Sequence, residues 1–177
     1  MRSISEKDLI LLSNKKSGMS IVELIELCKL IDIHKPKRIL EIGTKHGRTT
    51  INMAKFSPED AEIFSVDILV LDKPEICELS EYKKITFLQG DTLTFDFRTV
   101  GKDQFDFILV DANHLEKFVI NDTKIAYHLI KPEGIIVWHD YNKDQSYNNL
   151  QVTQALNRLG IKPNVIGKTS LVWLKVK

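Results

Sequence analysis

The sequence predicts an α/β fold, a seven-stranded mixed sheet with helices on both faces and an antiparallel hairpin at its C-terminal end. Three observations predict it. Short apolar runs alternate with segments of helical periodicity from about residue 20 onward, the pattern of parallel strands joined by covering helices. Most of those runs end in glycine or a carboxylate, as strands do where they meet a ligand-bearing edge. The last two strand-like runs are separated only by Gly167-Lys168-Thr169, too short a link for anything but a hairpin.

Taken in order, Ser5 to Leu12 reads as a short helix. A stronger helix follows, where Ser20 and Glu23 form a capping box ahead of Ile21, Leu24, Ile25, Cys28 and Ile31. Lys35-Pro36-Lys37 ends it, and residues 38–43 (RILEIG) form a buried strand. A helix over Thr49 to Phe56 leads to a strand over 62–67, and a weaker helix over Pro74 to Tyr82 leads to a strand over 85–89. A strand over 105–111, a helix from Leu115 to Ile130 and a strand over 134–139 come next. A last helix carries Val152, Ala155, Leu156 and Leu159 with Gly160 as its cap, and the hairpin runs over 164–166 and 170–176. No repeat or Pro/Gly-rich linker divides the chain, so residues 1–177 read as one domain with residues 1–34 as a helical leader.

Composition narrows the function. A chain of 177 residues with 43% hydrophobic and 28% charged residues is long enough for one well-packed core. The formal charge of +1 gives no footprint for a polyanion, so nucleic acid is not an expected partner. The two cysteines, Cys28 and Cys77, fall in helical segments and suggest neither disulfides nor a thiolate metal site, which fits the cytoplasm. No apolar run is long enough for a signal peptide core or a membrane span. The lysines around Lys15, Lys35 and Lys83 read as solvated surface.

Chemistry gathers at the carboxyl ends of the expected strands: Glu41 and Gly43, Asp67, Asp91, Asp111 and Asp140. Carboxylates at one rim are costly without a ligand or counter-charge. The turn Leu40-Glu41-Ile42-Gly43-Thr44-Lys45-His46-Gly47 has glycines where backbone must come close to a ligand, ahead of a helix N-terminus. Its spacing lacks the middle glycine of the dinucleotide fingerprint, where Lys45 stands, which counts against a nicotinamide oxidoreductase. Asp122 falls on the apolar register of its helix and is expected to be buried and structural, held by backbone amides of a neighbouring loop.

With these residues in view, the chain resembles a class I S-adenosylmethionine-dependent methyltransferase, most similar to the catechol and caffeoyl-CoA O-methyltransferases and related sugar O-methyltransferases. The resemblance runs from about Ser20 to the terminal hairpin and implies a Rossmann-like sheet with S-adenosylmethionine as cofactor. It implies that Glu41, Gly43, Gly47 and Thr49 hold the methionine end, that Asp67 grips the ribose, and that Asp91, Thr92 and Asp111 complete the cofactor set. It further implies that Asp111 and Asp140 bind magnesium and that His114 is the general base, with Asp111 beside it in catalysis and His139 as second choice. The family's third metal ligand, an asparagine, is replaced by Tyr141, which leaves Asn142 or a water to substitute. The implied acceptor is a hydroxyl of a small molecule or carbohydrate. The near absence of insertions leaves the site open, as suits an exposed sugar or a substrate completed by a second copy in a homodimer. A metal-independent O- or N-methyltransferase and a non-catalytic cofactor-binding module are the alternatives.

Overall fold

The computed structural model describes residues 3–12, 18–69, 74–101, 104–142 and 150–177. Seven strands form one sheet in the order β3-β2-β1-β4-β5-β7-β6: β1 (Arg38–Ile42), β2 (Glu62–Asp67), β3 (Ile85–Gln89), β4 (Phe105–Val110), β5 (Ile130–Trp138), β6 (Asn164–Val165) and β7 (Val172–Lys175). The first five are parallel, and β7 runs antiparallel to both β5 and β6, as the hairpin predicts.

Alternation along the central strands sorts the core into two layers. Ile39, Phe107, Leu109, Ile135 and Val137 pack on one face with α1 (Ile21–His34) and α2 (Arg48–Phe56). Leu40, Ile42, Ile108, Val110, Ile136 and Trp138 pack on the other with α4 (Glu116–Leu129) and α5 (Gln151–Arg158). A short α3 (Pro74–Cys77) buries Ile76 in the first layer. Among the described residues no helix is long and apolar enough to cross a membrane.

Three expected elements differ. The helix expected over Ser5 to Leu12 is only a 3-10 turn at Glu6–Asp8. Beyond it the backbone extends at Leu9, and Ile10 lies against α2, its N–H donating to Asn52 Oδ1 and its carbonyl accepting from Asn52 Nδ2, both at 2.9 Å. A tertiary partner has taken the backbone groups that a helix would pair internally. The helix expected over Pro74 to Tyr82 is broken into α3 and a 3-10 turn at Ser80–Lys84, because Leu79 turns extended to pack with Tyr82 on the α2 side. β5 begins at Ile130 instead of Gly134, and an irregularity in its pairing with β4 accommodates Lys131-Pro132-Glu133, where Glu133 has φ 66.

The ladder continues just past the strand ends. Gly43 N donates to Val66 O, Gly90 N to Asp67 O, Asp111 N to Ile42 O and His139 N to Val110 O. Residues immediately beyond β1, β3, β4 and β5 are thereby held in rank along one rim.

Candidate functional site

That rim opens into a cavity of about 610 Å³. Of the residues singled out in the sequence, Gly43, Thr49, Asp67, Asp91, Thr92, Asp111, His114 and Asp140 all line it, together with His139 and Asp122. Glu41 and Gly47 do not. Gly47 caps α2 with φ 70, a left-handed position that glycine fills without strain. Glu41 is fully buried beneath the turn, accepting from the hydroxyls of Thr50 and Ser65, and its Oε1 has no hydrogen-bond partner. Burial, against those two hydroxyl bonds, pushes its carboxyl up to about 8, so it is a neutral strut at pH 7.

The turn between β1 and α2 is clamped by Asp67. Its Oδ2 accepts from the N–H groups of Thr44 (2.8 Å) and Lys45 (2.7 Å), and its Oδ1 accepts from Leu69 N at 2.9 Å. Thr44 Oγ1 meets Ser65 Oγ at 2.6 Å, which ties the same turn to β2. Asp91 closes its own turn instead, with Oδ1 accepting from Leu93 N at 2.9 Å.

At the other end of the cavity, histidines and carboxylates alternate. His139 Nδ1 is 2.9 Å from Asp111 Oδ1, and its Nε2 is 3.4 Å from Glu23 Oε2, an ion pair without an aligned hydrogen bond. His114 Nδ1 is 3.0 Å from Asp140 Oδ2, and its Nε2 is 3.6 Å from Asp111 Oδ1. Asp140 stands at φ 58, which turns the chain sharply at the end of β5. The carboxylates of Asp111 and Asp140 raise His114 to about 9 against its desolvation. Burial opposes a charge on His139, but Asp111 and Glu23 overcome it and raise the ring to about 10. Burial raises Asp111, yet the ion pair with His114 and the hydrogen bond with His139 hold it below the usual carboxylate range. Both rings are therefore cations at neutral pH, whereas a free imidazole near 6.5 would be largely neutral and ready to accept a proton. His114 and His139 are the counter-charges of these carboxylates.

Glu23, legible in the sequence only as a helix cap, also pairs with His139 at the edge of the cluster. It completes the capping box of α1, where Ser20 N donates to its Oε2 at 2.9 Å. Its Oε1 accepts from Ser170 N (3.1 Å) and Ser170 Oγ (2.6 Å) ahead of β7. Burial raises its carboxyl, but the ion pair with His139 and the hydrogen bonds from Ser170 and Ser20 prevail and hold it ionised, far below the ordinary range.

The cluster Asp111, His114, His139 and Asp140 brings four donor atoms within 4.8 Å of one another. Magnesium takes oxygen ligands, and two of these four donors are imidazoles already engaged with the carboxylates. With Tyr141 in the place of the third oxygen ligand, the donor set does not fit magnesium.

The model of a family described as a methyltransferase domain matches residues 40–141. No curated protein matches the sequence. Among solved structures, a putative O-methyltransferase from Klebsiella pneumoniae is similar with a TM-score of 0.68 at 20% identity, over 94% of this chain and 84% of that one. An O-methyltransferase from Bacillus cereus in complex with SAH gives 0.67 at 18%, over 90% and 83%. A putative caffeoyl-CoA O-methyltransferase from Staphylococcus aureus gives 0.65 at 17%, over 90% and 85%. At such identities the likeness is one of fold.

Proposed function

The chain belongs to the methyltransferase-domain family, and we propose that it transfers the methyl group of S-adenosylmethionine to a hydroxyl of a small molecule or sugar. One observation carries this reading: a single cavity joins the turn held by Asp67 to the acid–histidine cluster of Asp111, His114 and Asp140. A methyl donor and a hydroxyl acceptor can then face each other in one enclosure. Similar folds described as O-methyltransferases, one of them with SAH, support the choice of cofactor and of oxygen as acceptor.

The residues present fit that cofactor. Gly43 and Thr49 border the cavity at the first turn, Asp67 keeps one acceptor site on Oδ1 for a ribose hydroxyl after its three amide bonds, and Thr92 and Phe118 border the β3 side. When bound, the cofactor supplies an electrophilic methyl on a sulfonium, so catalysis consists largely of aligning nucleophile and methyl carbon. Asp111 and Asp140 orient His114, and His114 accepts the hydroxyl proton only after losing its own. A neighbouring cation disfavours the imidazolium and eases that loss. No step is assigned to magnesium. His114 and Asp140 are each about a third exposed (35%), which leaves room for an exposed sugar as acceptor.

Calorimetry with S-adenosylhomocysteine, with and without EDTA, tests the cofactor; binding is expected in both. Methyl transfer from tritiated S-adenosylmethionine to a panel of catechols and sugars then tests the reaction. For an acceptor so found, kcat/KM should rise with pH toward a plateau above about 9, the pKa of His114 in the free enzyme. No heat from an intact fold would sink the cofactor reading, and a flat pH profile would remove His114 as the base.

A further inference from the structure

Asp122 is 1% exposed and yet lines the cavity. It lies one turn of α4 beyond Phe118, which lines the cavity too, so both side chains stand on one helix face. The backbone amides expected to hold it are not its donors. Its Oδ1 accepts from Asn121 Nδ2 at 3.2 Å, the Thr92 hydroxyl also bonds it, and Asn121 Nδ2 reaches Thr92 O at 3.4 Å. A carboxylate offers about four acceptor sites, so two donors leave capacity unused in a place water hardly reaches. Asp91, the nearer candidate by sequence, has Oδ1 closed onto its own turn.

Around Asp122 the cavity suits a flat heteroaromatic ring. Thr92 and Asp122 form a polar edge, and Ile68, Leu69 and Phe118 supply apolar wall. The Gly90–Thr92 turn is tied to β2 through Gly90 N→Asp67 O and to α4 through Asn121, so these residues form one end of the cavity, next to Asp67.

Resting on the S-adenosylmethionine reading above, we infer that Asp122 determines base specificity by accepting a hydrogen bond from the 6-amino group of the cofactor's adenine. A buried acceptor left without its donor is penalised, so a base lacking that amino group is rejected.

The test compares S-adenosylhomocysteine with its analogue bearing hydrogen in place of the 6-amino group, by calorimetry. The wild-type chain should prefer the amino form by about tenfold or more, the range for a hydrogen bond to a charged group. Asp122→Leu, close in size but without an acceptor, should bind the two within about twofold of each other, and Asp122→Asn, which keeps a carbonyl, should retain most of the preference. If Asp122→Leu fails to fold, the 13C resonance of the Asp122 carboxyl in the wild-type chain serves: it should move with S-adenosylhomocysteine and move less with the analogue. A preference kept in full by the leucine variant, equal wild-type affinity for both ligands, or a carboxyl resonance that answers both alike overturns the inference and leaves the cofactor reading intact. Failure of the wild-type chain to bind S-adenosylhomocysteine overturns both.

Discussion

Gly43 is required less for the approach of a ligand than for the approach of the protein to itself. A Cβ there would lie 2.3 Å from the carbonyl oxygen of Asp111 and 2.6 Å from Cα of Ala112, backbone atoms that cannot swing aside. Its φ of 102 adds strain for any other residue. Gly43→Ala should therefore destabilise the fold by about 3 kcal/mol or more in urea unfolding, since steric overlap and a strained dihedral act together. A loss under about 1 kcal/mol would mean that the β1 and β4 ends can part cheaply. Asp67→Ala acts in two places. It removes the acceptor proposed for the ribose and frees the amides of Thr44, Lys45 and Leu69. Calorimetry should show S-adenosylhomocysteine binding weakened by about 1–3 kcal/mol, with a lowered melting temperature in the absence of ligand. Unchanged affinity would assign Asp67 to the turn alone.

At the scale of elements, Glu23 joins the start of α1, the segment before β7 and the end of β5 through one carboxylate. Glu23→Ala should cost about 2–3 kcal/mol in unfolding experiments, because the removed acceptor served several donors and left His139 facing an empty partner. Glu23→Gln keeps the size but removes the charge, so the imidazole of His139, followed by NMR, should titrate well below the value of about 10 that the two flanking carboxylates impose. An unmoved titration would exclude Glu23 from that network. The sequence discloses half of this. Ser20-Ile21-Val22-Glu23 announces a capping box because that motif is local, but the bond to Ser170 spans 147 positions and has no local signature. The same contrast runs through the fold. Strands β1 and β4 are legible because burial on both faces demands largely apolar runs, while β2, with Glu62, Ser65 and Asp67 among its six residues, is legible from its place in the alternation of strands and helices. The Ser5 to Leu12 helix was misread because Asn52, on another element, claims the backbone of Ile10. Asp122 was read correctly as buried, whereas its place on the cavity wall depends on how α4 meets the β3 turn.

Over the whole molecule, a formal charge of +1 conceals how unevenly the titrating groups are spread. Glu23, Glu41, Asp111, His114 and His139 all lie at or beneath one edge of the sheet, and each titrates away from its ordinary value. The two histidines bind their protons more tightly folded than unfolded. Their stabilisation is complete below the unfolded value of 6.5 and disappears as pH rises through about 9 and about 10. Glu41 has the same sign, because its folded value of about 8 lies above the unfolded 4.5, so its contribution fades between those limits. Glu23 and Asp111 have the opposite sign. Held below the ordinary carboxylate range, they stabilise the fold above the unfolded values of 4.5 and 3.8 and lose that effect as pH falls further. The melting temperature should therefore be highest at about pH 4.5–5, where Glu23 and Asp111 are ionised and Glu41 has only begun to lose its contribution, and decline steadily toward pH 10. Scanning calorimetry across that range checks the curve, and His139→Gln should start lower but flatten the alkaline limb, since the ring that discharges there is gone. A melting temperature that climbs or stays level from pH 6 to 9 would mean that His114 and His139 are not cations in the folded chain.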